Sequence, residues 1–184
     1  MNRFVVVAGR VRKLRSLADA TASEIAEAAL VLPLAFMMLL GIYWFGRAFN
    51  IYATINHAAR EGARAAVAQT CATCTPLTSG QVATQAANVV VQALQASSVD
   101  PSQIQTYTPL PQNFCSANGN CATAGLNNIN VCTDVQLTPT TSSYPPVCGV
   151  AVLFEYPYQM SLPFTSLNQQ TFLLRANVQM KGEY

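Results

Sequence analysis

The chain has 184 residues, of which only 10% are charged, and its formal net charge is +2. That length suits one domain of ordinary size plus an anchor, and the sparse charge points to a membrane segment or a closely packed assembly. Arg3, Arg10, Arg12, Lys13 and Arg15 lie in the first 18 residues with no acidic residue among them, whereas beyond Ala65 only Arg175 and Lys181 stand against Asp100, Asp134, Glu155 and Glu183. The basic charge therefore belongs to the N-terminal end, which argues against a nucleic-acid-binding face on the domain.

After a basic leader (1–22) comes an anchor segment (23–46), within which Ala28–Gly46 forms 19 uncharged positions rich in Leu, Met and Phe. As a helix this run is about 28 Å long, close to the thickness of a hydrocarbon core. It is longer than the apolar core of a cleaved signal peptide. It ends in Tyr43-Trp44-Phe45-Gly46-Arg47, an interfacial aromatic belt rather than a small-residue cleavage site. The expectation is one uncleaved pass through the lipid of a membrane. The positive cluster keeps the N-terminus cytoplasmic and places the head on the far side of the membrane. Pro33 falls inside the run, where a membrane helix accommodates it as a kink. Glu24 and Glu27 stand at its entry. Either both stay hydrated among headgroups, or Glu27 enters the bilayer and requires a partner.

From Arg47 to about residue 70 the helix is expected to continue beyond the membrane. Tyr52, Ile55, Ala59, Ala63 and Ala66 define an apolar stripe, and Asn56, Arg60 and Arg64 a polar face. Gly62 weakens a helix interior by about 1 kcal/mol relative to Ala, which suggests close approach of another backbone.

Three stretches of this region resemble the TadE-like family, pseudopilin-type minor components of Tad (tight adherence) pili. They are Glu27-Ala28-Ala29-Leu30-Val31-Leu32-Pro33, Gly41-Ile42-Tyr43-Trp44-Phe45-Gly46-Arg47, and Asn56-His57-Ala58-Ala59-Arg60-Glu61-Gly62-Ala63-Arg64. The resemblance implies a structural role in pilus biogenesis and adherence, with other pilin-like subunits or the Tad machinery as partners. Pilin-group proteins are cut by a prepilin peptidase, with Glu at the fifth mature position. On that pattern the cut falls between Ala22 and Ser23, with Ala22 where Gly is preferred. Glu27 then neutralises a neighbouring subunit's new amine. Glu27, Pro33 and Gly62 are the residues assigned to helix packing and assembly.

The exported head (71–184) opens on a break holding Cys71, Cys74 and Pro76. A second helix is expected over Gly80–Ser97, where Val82, Ala86, Val89, Val90, Ala93 and Leu94 keep the helical period. Strands follow over Ile129–Leu137, Val150–Tyr158 and Phe172–Met180, where apolar residues alternate, and a weaker one over Gln103–Thr108. Residues 109–128 and 138–146 are expected as loops. The fold class is α+β: two helices covering one face of an antiparallel sheet.

All six cysteines (Cys71, Cys74, Cys115, Cys121, Cys132 and Cys148) follow the anchor, and an even count in an exported domain favours disulfides. Proximity favours Cys115–Cys121, then Cys71–Cys74. Cys71-Ala72-Thr73-Cys74 follows a helix rather than opening one, which removes the usual reason for a reactive thiol. The spacing of the remaining cysteines does not suit zinc. His57 is the only histidine, and no phosphate loop or paired carboxylates recur in the head. A non-enzymatic protein without metal or cofactor is expected. A membrane-tethered binding module with a disulfide-braced head is the alternative function.

Overall fold

The computed structural model describes residues 3–68, 77–124, 128–138, 145–159 and 171–182, with side chains from Glu24 onward. The chain falls into two compact units, Met1–Gly46 and Arg47–Tyr184. Helix α1 (Arg3–Val67) contributes to both. In the second unit it is followed by α2 (Ser79–Ala96), a short 3-10 turn (Pro101–Gln103) and strands β1 (Asn120–Ala124), β2 (Ile129–Gln136), β3 (Cys148–Gln159) and β4 (Thr171–Lys181). The strands form one antiparallel sheet in the order β1-β2-β3-β4. The fold is α+β, as the change of period along the chain implies.

Helix α2 begins on a capping box: the Thr78 side chain accepts from Gln81 N–H while the Gln81 side chain accepts from Thr78 N–H. Two orphan donors are thereby satisfied at the first turn. Its buried face, Ala83, Ala86, Ala87, Val90 and Leu94, is built mainly of small residues. Ala86 and Val90 on that face meet Gly62 of α1, whose buried stripe is Ile55, Ala58, Ala59, Gly62, Ala63 and Ala66. The α1 stripe is rotated from the expected one: Tyr52 is 48% exposed, and Ala58 and Gly62 take part instead. Tyr52 keeps the period with Ile55 and Ala59, so spacing alone placed it in the stripe; the position of the partner helix decides otherwise.

Beneath the helices lie Ile129 and Val131 from β2, Val150, Val152, Phe154 and Tyr156 from β3, and Ala176 from β4, in one continuous core. The opposite face of the sheet is also covered. Ala151, Leu153, Cys132 and Val135 form a second cluster, closed by Tyr107, Phe114, Cys121 and Leu137. The sequence pattern suggested one covered face, because β2 and β4 alternate. β3 is buried almost throughout, since the segment between α2 and β1 folds over its far side.

That segment differs from expectation in two further respects. Residues 103–108 form no strand; Gln105 alone makes an isolated bridge to Glu155. Conversely, β1 lies inside the stretch read as a loop, pairing with β2 from Asn120↔Thr133 to Ala124↔Ile129. Asn120, Ala122 and Ala124 give β1 little strand character of its own, so pairing more than propensity makes it a strand. A register shift between Cys132 and Val135 puts Asp134 at φ 58°, a left-handed conformation that Asp tolerates better than most residues.

Candidate functional site: the anchor helix and the head it carries

The apolar segment of α1 exposes its large side chains all round. Leu30 is 74% exposed and Met37 70%, with Leu34, Met38, Leu39 and Ile42 similarly open. Exposure of this extent would be unfavourable in water, at roughly 25 cal/mol per Å² of apolar surface, and suits a lipid or helical neighbour. Among the described residues, this is one helix long and apolar enough to cross a membrane. Pro33 lies inside it without ending it. Tyr43 and Trp44 contact edge-to-face, with ring centroids 5.4 Å apart, at the end of the apolar run. Glu24 and Glu27 are exposed on the helix at its other end. Ala22 and Ser23 lie within the helix, but their side chains are outside the described residues.

In the second unit, Gly62 occupies a position that a side chain could not share. A Cβ there would collide with Val90 Cγ2 and lie 3.2 Å from the Ala86 carbonyl oxygen. The backbones of α1 and α2 therefore approach closely at this point. Arg60 and Arg64 turn away from that contact and are exposed, Arg64 forming a 3.7 Å ion pair with Glu61. Exposed His57 lies on the outer surface too, so the Asn56–Arg64 segment divides into a small packed face and a basic open one.

The cysteine pairing departs from sequence proximity. Cys115 bonds to Cys148 and Cys121 to Cys132, so Cys115–Cys121 is not formed. Cys121 and Cys132 are direct cross-strand partners in β1 and β2, on one face of the hairpin. Cys115 is fixed elsewhere: its N–H donates to the Asp134 carbonyl, beside the Phe114↔Val135 bridge, and its disulfide ties the covering segment to the start of β3. Cys71 and Cys74 lie outside the described residues. Peptide mapping of unreduced protein should recover Cys115–Cys148 and Cys121–Cys132 as linked pairs. Loss of the first by Cys148→Ser should lower stability by about 3–4 kcal/mol, measured by denaturant unfolding, given the 33-residue separation it closes.

Cys115, Asp134 and Cys148 bring three potential metal-ligand atoms within 4.8 Å. The two sulfurs are joined to each other, however, and offer no thiolate. The Asp134 carboxylate accepts from Ser116 Oγ, which gives it a structural task at the bulge. On the same covered face Glu155, 4% exposed, accepts from Arg175 Nε at 2.9 Å across the β3–β4 pair. The Arg175 guanidinium in turn lies 5.6 Å from the centre of the Tyr107 ring. Asn130, fully buried, donates to the Tyr107 carbonyl and accepts from Thr123. These polar groups fasten the covering segment to the sheet and leave the buried carboxylate paired.

Among the described residues outside the apolar segment, two groups have displaced ionisation. Hydrogen bonds from Ser102, chiefly its backbone N–H, hold the Asp100 carboxyl below its ordinary range. Its folded pKa is depressed, so its contribution to stability is present above the unfolded pKa and disappears as pH falls through the folded one. Burial, followed by the nearby Asp100 charge, raises the Tyr156 phenol, with Arg47 opposing.

The sequence profile of the TadE-like protein family matches residues 22–64. This stretch spans Glu27, the apolar run and the Gly62 contact, and over it the chain is similar to that family. No curated protein and no solved structure matches the chain.

Proposed function

We propose, for a chain that is TadE-like over residues 22–64, a structural role in Tad pilus biogenesis: a membrane-anchored minor pilin or pseudopilin without catalytic activity. The observation that carries this reading is the coincidence of the family match with an apolar helix whose side chains are exposed. A helix of this kind serves as an anchor in lipid and as a packing surface among similar helices. The basic leader sets the N-terminus in the cytoplasm and the head in the periplasm or at the cell surface. The head, braced by two disulfides in its described part, is the portion suited to an oxidising compartment.

Glu27 has a defined task in this reading. A cut before Ser23 leaves it fifth from a new amine, and a carboxylate and an ammonium attract strongly where water is excluded. Cells lacking the protein should lose pili and surface adherence, and the wild-type chain should restore both. Glu27→Gln should reach the membrane in normal amount, because insertion depends on the apolar run, yet fail to restore piliation. Full piliation by the Gln variant with Met1 or Asn2 still at the N-terminus would remove this role for Glu27. Normal piliation without the protein would overturn the function itself.

A further inference from the structure

The second unit has two ends, and their identity follows from what meets at each. Ala66 near the end of α1, Ser79 and Val82 at the start of α2, and Cys148 and Val150 at the start of β3 line one cavity. From there α2 extends 18 residues, about 27 Å, and α1 leads back from Ala66 to Arg47 over about 28 Å. At the far end these elements meet again. Gln105, nine residues past α2, bridges to Glu155 beside Tyr156, and the charges of Asp100 and Arg47 both act on the Tyr156 phenol. β3 then continues three residues past Tyr156 to Gln159, about 10 Å farther. It carries β4 with it, through the pairs Pro157↔Leu173 and Tyr158↔Phe172.

Among the described residues, this far end exposes large apolar side chains. Phe172 is 47% and Leu173 46% exposed, and as consecutive strand residues they point to opposite faces. Phe49 at 71% and Tyr52 at 48% are exposed on α1, two and five residues beyond Arg47. The carboxylates described nearby are both engaged, Asp100 with the Ser102 N–H and Glu155 with Arg175. Arg47 directly follows Gly46, the last residue of the apolar run. However the two units are arranged, this end of the head is therefore tethered at the bilayer surface.

We infer that the Arg47 end of the head rests on the bilayer, with Phe49, Tyr52, Phe172 and Leu173 in its interfacial layer. The end of β3 and the start of β4 thus make a second lipid contact, separate from the span. The inference rests on the reading of Ala28–Gly46 as a transmembrane segment. Its physical basis is the preference of aromatic and apolar side chains for the boundary between headgroups and acyl chains, where they bury about 5–10 Å deep. Such a contact holds the head close to the membrane and restricts its tilt. Extraction from the membrane would expose the same apolar surface.

Trp44 is the only tryptophan, which permits a direct test. The full chain is reconstituted in vesicles of phospholipid brominated in the upper acyl chain. Fluorescence is read from Trp44 itself, and then from Phe172→Trp and Lys181→Trp, each in a Trp44→Phe background. Positions 172 and 181 lie at opposite ends of β4 and both are exposed, so neither replacement disturbs the core. The expected result is at least about twofold quenching at 44 and at 172, and little at 181. Quenching at 44 but not at 172 would overturn this second contact and leave the span intact, as when a second copy covers Phe172. Equal quenching at 172 and 181 would overturn the orientation proposed for the head. An unquenched Trp44 would overturn the span and this inference together.

Discussion

Gly62→Val should destabilise the head by about 2–3 kcal/mol, a substantial part of the stability of an ordinary domain. The added Cβ would meet the fully buried Val90 side chain and the Ala86 carbonyl oxygen, 3.2 Å away. A backbone oxygen cannot turn aside as a flexible side chain can, so the two helices must separate. Helix propensity opposes this effect, because valine favours a helix more than glycine, but only by a few tenths of a kcal/mol. The measurement is thermal unfolding of the detergent-solubilised chain, where a fall of about 5–10 °C is expected. Ala53→Val, at an exposed α1 position, should stay within about 0.5 kcal/mol of wild type. A cycle of Gly62→Ala and Val90→Ala isolates the contact: the double variant should lose less than the sum of the singles. A Gly62→Val protein as stable as wild type would show that the α1–α2 approach is not tight.

Leu34→Arg combined with Met38→Arg should abolish stable membrane insertion. The two residues are 62% and 64% exposed and lie four apart, on the same side of the helix. Each guanidinium near the centre of a span costs about 2.5–3.5 kcal/mol, so the pair opposes insertion by about 5–7 kcal/mol. Their positions in the middle of the run leave little opportunity to reach the headgroups. Alkaline extraction of membranes should leave the wild-type chain in the pellet and release the double variant. Leu34→Ala with Met38→Ala shortens the same side chains without introducing charge and should remain in the pellet. Retention of the Arg pair at wild-type level would refute the span.

The features legible in the chain were those with a strong local cause. An uncharged run of 19 residues can satisfy its backbone inside lipid only as a helix, so Ala28–Gly46 identifies itself by composition. Alternation in Ile129–Leu137, Val150–Tyr158 and Phe172–Met180 reflects side chains facing a core and its opposite side, and β2, β3 and β4 lie there. Glu27 and the motifs around it were equally visible, which is why the family match falls on residues 22–64. The glycine at 62 signalled a close approach, although its partner could not be named from spacing.

What tertiary structure alone decided concerns partners distant in the chain. Cys115 and Cys121 are near neighbours in sequence, yet β1–β2 pairing sets Cys121 opposite Cys132, and the covering segment carries Cys115 to Cys148. β1 owes its existence to that pairing, since its own residues carry no strong strand preference. Tyr52 satisfies the helical period as well as Ile55 does, but α2 approaches from the other side and leaves it exposed. Glu155, placed at a polar position of an alternating strand, is buried because the 104–121 segment lies over it and Arg175 neutralises it. Periodicity records which way a side chain points along its own element. Which element covers it is settled by contacts between segments that lie tens of residues apart, and no local pattern contains them.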